Sequence, residues 1–227
     1  MFCEVYFMDQ ILTNNLIDIF AVCMLLASVL AMASVRMQPL IRLFILQSLF
    51  LAAFEFTVAY SQNEPHIYIM AAMTFGIKVL LIPRMLKYIM SRIKADDEMS
   101  LSLGIPGSIL LSAALIIFSY YVSEPLIITL DTAERNSLVL SFSIMLIGML
   151  MMATRRKAIS EVVGLLMVEN GLFLGAIALS NGMPFIVELG AFFDVLMAMI
   201  IIGIFAFRIN KSFDSVDTTL LRRLKEE

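Results

Sequence analysis

Three residues of this chain have a type and a place that could do chemistry: Glu169, Asp194 and Lys78. Glu169 stands at the centre of the apolar stretch EVVGLLMVENGLFLGAIAL. Asp194 stands near the centre of PFIVELGAFFDVLMAMIIIGIFAF. Lys78 lies half-way along the apolar run from His66 to Met90. An ionised side chain at the middle of a bilayer is penalised by roughly 2.5–3.5 kcal/mol on insertion scales, so a charge retained there is a functional hypothesis by default. All three sit about half-way along their runs, which places them at a similar depth. Burial favours the neutral form of each group, whereas attraction between acid and amine favours the charged forms. Groups balanced between these effects can pass protons, and chains of intramembrane acids and lysines are how proton relays are built. The bland alternative is a buried ion pair that locks helices together.

The surroundings suit burial against protein rather than lipid. Asp194 shares a helical face with Gly190, Ala191 and Ala198, and Lys78 shares one with Ala71 and Thr74, at i±3, i±4 or i±7 spacing. Glu169 is followed by Asn170 and Gly171, with Gly175 a turn further on. Small residues let helices approach closely. Other acids lie nearer the span ends. Asp18 and Glu55 fall within a turn or two of the outer boundary, where a snorkelling or packed carboxylate is the simpler reading. Glu188 is near the outer end of its span and Glu161 near the inner end of its own. Glu161 and Glu169 are eight residues apart, about two turns. They suggest a line of acids from the inner surface to the middle.

Composition defines the setting. The chain of 227 residues is 61% hydrophobic and 15% charged, with mean hydropathy +0.94. Soluble domains carry nearer 25% charge, and the apolar residues here come in long runs. A span needs about 20 such residues. Seven are expected: Ile11 to Val35, Pro39 to Tyr60, His66 to Met90, Pro106 to Val122, Ser137 to Thr154, Ala158 to Leu179 and Pro184 to Phe207. The fold class is therefore all-α, a polytopic membrane protein. The segment SRIKADDEMS links the third and fourth spans, and a wetter connection, EPLIITLDTAERN, precedes the fifth. The start, MFCEVYFMDQ, has no basic region, so the first run is expected to be an uncleaved span. The polar tail from Arg208 ends in TTLLRRLKEE, a short interfacial helix in prospect.

Basic residues orient the spans. With the N-terminus outside, the inner side holds Arg36, Arg42, Arg84, Lys87, Arg92, Lys94, Arg155, Arg156, Lys157, Arg208, Lys211, Arg222, Arg223 and Lys225, whereas the outer side holds Arg135 alone. The expected orientation is N-terminus out and C-terminus cytoplasmic. Two cysteines, Cys3 and Cys23, and one histidine, His66, make no disulfide framework and no haem, iron–sulfur or zinc pattern. No phosphate-binding or nucleophile motif is present, and no feature points to nucleic acid. The 18 methionines are spread through the spans and read as packing filler.

From about Ser137 onward the chain resembles the small three-helix K subunit of NADH–quinone oxidoreductase and its relative in Mrp-type antiporters. The matching features are Arg155, Arg156 and Lys157, then Gly164, then Asn170, and the last helix AFFDVLMAMIIIGIFAFRIN, in which the family glutamate falls on Asp194. The family's second-helix glutamate would fall at Leu166, whereas this chain has Glu169 one turn further on. Over its whole length the chain resembles hydrogenase-4 component E. That likeness rests on Asn14, Asn15 and Leu16, on IKVLLIP around Lys78, on VENG around Glu169, and on VELGAFFD from Glu188 to Asp194. The resemblance implies two parts: an N-terminal four-helix extension, residues 1–136, and a three-helix unit like the K subunit with a cytoplasmic tail, residues 137–227. It also implies a non-catalytic membrane subunit of a proton- or cation-translocating complex in a prokaryotic cytoplasmic membrane. The expected partners are antiporter-like subunits and the membrane anchor of a redox arm, with [NiFe] and iron–sulfur centres in other subunits and none in this chain. The relay residues would be Glu169, Asp194, Lys78 and Glu161, with Glu188 and Glu55 as further candidates.

Overall fold

A computed structural model describes residues 2–93, 104–124, 132–155, 157–180 and 190. Seven α-helices run in order among them: α1 (Phe2–Ala33), α2 (Met37–Gln62), α3 (Pro65–Thr74), α4 (Ile82–Ile93), α5 (Ile105–Ser123), α6 (Thr132–Thr154) and α7 (Ala158–Ser180). A π-helical segment, Phe75–Leu81, joins α3 to α4, so these three pieces form one long rod. Six helical stretches are long and apolar enough to cross a membrane: Leu12–Ala33, Met37–Gln62, Pro65–Ser91, Ile105–Ser123, Arg135–Thr154 and Ala158–Ile177. They coincide with the first six expected spans. The expected seventh, apart from Gly190, lies outside the described residues, as do Glu188, Asp194 and the tail.

The boundaries follow local chemistry. The α2–α3 turn is tight because Asn63 adopts the left-handed conformation (φ 54°), which asparagine tolerates. Its N–H closes on the Ala59 carbonyl, and Pro65 then opens α3 at a position where its missing donor is harmless. Pro106 does the same for α5. Helix α6 starts at Thr132, five residues before the expected Ser137, because no glycine or proline stops the polar segment TAERN from continuing the helix.

Glycines bring α6 and α7 together. A Cβ on Gly148 would lie 2.8 Å from the Gly164 carbonyl oxygen, and one on Gly171 would lie 3.0 Å from that of Ser141. Only the absence of side chains permits this approach, which is the small-residue packing expected between membrane helices. At the end of the pair, Arg155 is buried and donates from NH2 to the Met32 carbonyl at the C-terminal end of α1. A cation there complements the helix dipole. Burial lowers the guanidinium's pKa from its ordinary value, yet arginine remains charged.

The apolar interior falls into two half-cores. One joins Ala31 and Met32 of α1, Met37 to Phe44 of α2, Ile82 to Ile89 of α4, Ile147 and Met151 of α6, and Ile159 to Met167 of α7. The other joins Ala21 and Met24, Leu51 to Ala59, Ile67 and Met70, Ile144, and Phe173 to Ile177. Each draws on residues from both sides of position 136. The α1–α2 turn, the end of α4 and the α6–α7 turn therefore lie at one end of the bundle. The exposed Arg36, Arg42, Arg84 and Lys87 are at that end too.

Candidate functional site in the polar waist

Between the half-cores each long rod changes character. Helix α1 presents Ser28, α2 presents Gln47 and Ser48, the third rod presents Thr74 and Lys78, and α7 presents Glu169 and Asn170. Every one of these side chains is buried. Counting 1.5 Å per residue, Lys78 lies about 20 Å from the start of α3 and Glu169 about 16 Å from the start of α7. In a hydrocarbon layer about 30 Å thick, both positions are near the middle. Packing brings the two to the same level, because Lys78 Nζ lies 3.5 Å from Glu169 Oε2.

Lys78 is fully enclosed, and its ammonium also lies 4.1 Å from the centroid of the Phe173 ring. Phe173 is one turn beyond Glu169 on α7, so the two flank the same ammonium. The lysine belongs to the π-helical segment. Such segments widen the helix by one residue per turn and frequently occur at functional sites. Neighbouring Gly76 has open space where a Cβ would stand, so the small residue is not demanded by packing.

Glu55 is also completely buried, and Thr74 donates from Oγ1 to Glu55 Oε1 at 3.2 Å. Thr74 is four residues before Lys78, on the same face of the rod. From the sequence, Glu55 is a snorkelling or packed carboxylate in the simpler reading and a further relay candidate in the other. The structure makes it a packed carboxylate on the lysine's side of the bundle. The clue in the sequence was Thr74, a hydrogen-bonding residue one turn from Lys78.

The other half of the waist is neutral. Asn170 Nδ2 donates to Ser48 Oγ (3.2 Å) and Gln47 Oε1 (3.4 Å), Gln47 Nε2 donates to Ser28 Oγ (2.7 Å), and Ser28 Oγ donates to the Met24 carbonyl (2.8 Å). This network links α7, α2 and α1. Of its members the sequence singles out only Asn170, as the neighbour of Glu169 and as a mark of resemblance. Nothing in one sequence links Ser28, Gln47 and Asn170, which are far apart along the chain.

Glu161 stands apart. It is exposed in the first turn of α7, whereas Glu169 points inward. Eight residues at 100° each leave the two side chains about 80° apart around the axis. Glu161 and Glu169 therefore do not share one face of α7. Asp18 accepts from Asn136 Nδ2 at 3.5 Å at the opposite end of the bundle, away from the lysine. Among the described residues, no cluster of histidine, cysteine or carboxylate side chains is placed to hold a metal ion.

Comparison with known proteins adds a likeness over most of the chain. Hydrogenase-4 component E of Escherichia coli K12 is 26% identical over 179 residues, covering 79% of this chain and 83% of that protein. The chain is similar to hydrogenase-4 component E. The same component in Shigella flexneri matches equally. The uncharacterized protein Rv0085 of Mycobacterium tuberculosis is 29% identical over 212 residues, 93% of this chain and 96% of its own length. No family model matches, and no solved structure matches. The spanning helices and this distant likeness together make the chain a multi-pass membrane protein similar to hydrogenase-4 component E.

Proposed function

We propose that the chain is a non-catalytic membrane subunit of a proton- or cation-translocating respiratory complex of the membrane-bound hydrogenase kind, holding part of a mid-membrane relay. The observation that carries this reading is the Lys78–Glu169 ion pair, 3.5 Å apart and enclosed between two apolar half-cores. At an effective dielectric of 20, the attraction across such a distance is about 5 kcal/mol. Burying the two ions costs several kcal/mol each. The pair is thus near balance, and a proton added to Glu169 or a charge shift nearby can tip it. A clamp selected for stability alone would be better served by apolar side chains.

The relay would work as follows. When Glu169 takes a proton, it loses its hold on the Lys78 ammonium. The lysine's charge then acts on the Thr74–Glu55 side, where a hydroxyl already donates to the second carboxyl. Asp194 would continue the chain from the seventh span, and Glu188 would make an outer contact. Glu161, exposed near the basic end of the bundle, would take up protons at the cytoplasmic side. That end faces the cytoplasm if the basic turns follow the positive-inside rule. Redox chemistry at [NiFe] and iron–sulfur centres of partner subunits would supply the driving force. Antiporter-like subunits and the membrane anchor of the redox arm would be the neighbours.

The test is to tag the chain, purify its complex from native membranes and measure proton uptake into inverted vesicles, with and without Glu169→Gln. The expected result is co-purification of a hydrogenase large subunit, with uptake abolished in an assembled Glu169→Gln complex. Full uptake in that variant would sink the relay. Collapse of assembly in Glu169→Gln would favour the ion-pair clamp. Antiporter-like subunits without any redox subunit would point to a sodium/proton antiporter instead.

A further inference from the structure

Phe173 is set against the relay in a way that packing alone does not require. Its ring is buried in the second half-core, yet one face is turned to the buried, mid-span Lys78, 4.1 Å from Nζ to the centroid. The ring's position is fixed from behind. A Cβ on Gly190 would collide with Phe173 Cε1 and lie 3.2 Å from Cζ and 3.4 Å from the Met70 methyl. Gly190 therefore lets backbone press on the ring edge, and Met70 fills the space beside it. A bulkier residue at 190 would drive the ring off its seat.

We propose that Phe173 is a positioning residue whose π-face holds the Lys78 ammonium whenever Glu169 is neutral. This rests on the relay reading above. The carboxylate at 3.5 Å and the ring at 4.1 Å both hold the ammonium here, and they differ in kind. The carboxylate anchor is lost in the step in which Glu169 carries a proton. The ring anchor does not titrate. It keeps the positive charge at a fixed point, so that the charge lost from Glu169 is felt at Glu55 rather than dispersed by movement of a four-carbon side chain. A cation over a desolvated aromatic face is held firmly enough for this task and loosely enough to allow release.

The ring can be tested electronically without changing its shape. Phenylalanine at 173 is replaced by mono-, di- and trifluorophenylalanine in the full chain, and proton uptake is measured in vesicles carrying the intact complex. Fluorine withdraws charge from the ring face and weakens its hold on a cation, while size and burial barely change. The expected result is a stepwise fall in uptake, reaching about tenfold for the trifluorinated ring. Phe173→Tyr should retain most of the uptake, and Gly190→Ala should lower it by displacing the ring. A flat fluorine series alongside an inactive Glu169→Gln complex overturns the role of Phe173 and leaves the relay standing. A flat series alongside an active Glu169→Gln complex overturns both.

Discussion

The two halves of the polar waist share a depth, a helix and even adjacent residues, yet they are built on opposite principles. Glu169 turns to a lysine, an aromatic face and, beyond them, a second carboxyl. Asn170 turns to an amide and a hydroxyl, and that amide in turn to a second hydroxyl. The neutral half is an exchange of hydrogen bonds between groups that hold no net charge. Each bond adds about 1 kcal/mol, and the whole fixes the register of α1, α2 and α7. The charged half pairs the Lys78 amine with Glu169 of α7 and Thr74 of the same rod with Glu55 of α2, and in the proposed relay its arrangement depends on where the proton lies. The lesson is that a membrane protein can place a rigid polar clamp beside a movable charge. The clamp keeps the helices in register, so the charge can move without the bundle loosening.

This contrast predicts a graded set of outcomes. The largest effect is on transport. Glu169→Gln should reduce proton uptake by at least about a hundredfold, the usual worth of a positioned proton-transfer group, while the complex still assembles. Next comes stability of the charged half. Lys78→Met leaves Glu169 buried without its ammonium and should destabilise the protein by about 3–5 kcal/mol, read as a lowered unfolding temperature in detergent. Adding Glu169→Leu should restore most of that stability and none of the transport. If the double variant stays as unstable as the single one, the charged half is not an independent unit.

The neutral half should respond the other way round. Gln47→Leu removes the bonds to Ser28 and Asn170 and should cost about 1–3 kcal/mol of stability. Uptake in the assembled complex should stay near wild type, and a loss of transport comparable to that of Glu169→Gln would erase the distinction between the two halves. The smallest effect is expected from Glu161→Gln, a slowing of uptake with no change in unfolding temperature, since that side chain is exposed. A strong loss there would place the proton path along the outside of α7 rather than through the waist.

Much of this was legible in the sequence. Apolar runs marked six spans to within a few residues, because the length of a membrane crossing is set by the bilayer. Lys78 and Glu169 were visible because a charge in such a run has no cheap alternative explanation. Burial of Glu55 was not visible, since a carboxylate near a span end reads equally as snorkelling. The separation of Glu161 from Glu169 turned on an angle of about 80°, which spacing along the chain does not make vivid but side-chain exposure does. The π-helical segment at Phe75–Leu81 also left no mark, since its extra residue per turn does not change the apolar run that marks the span.

By itself, then, the sequence determined the class of protein, the spans and which charges are anomalous, because hydropathy and charge act locally along each helix. Only the tertiary structure decided partners. Lys78 meets Glu169 and Phe173, Glu55 meets Thr74, and Asn170 meets Gln47, each pair on different helices. Those choices depend on how each helix is rotated about its axis. That rotation is set by the glycine contacts of α6 and α7 and by the two half-cores, which exist only once the helices have packed.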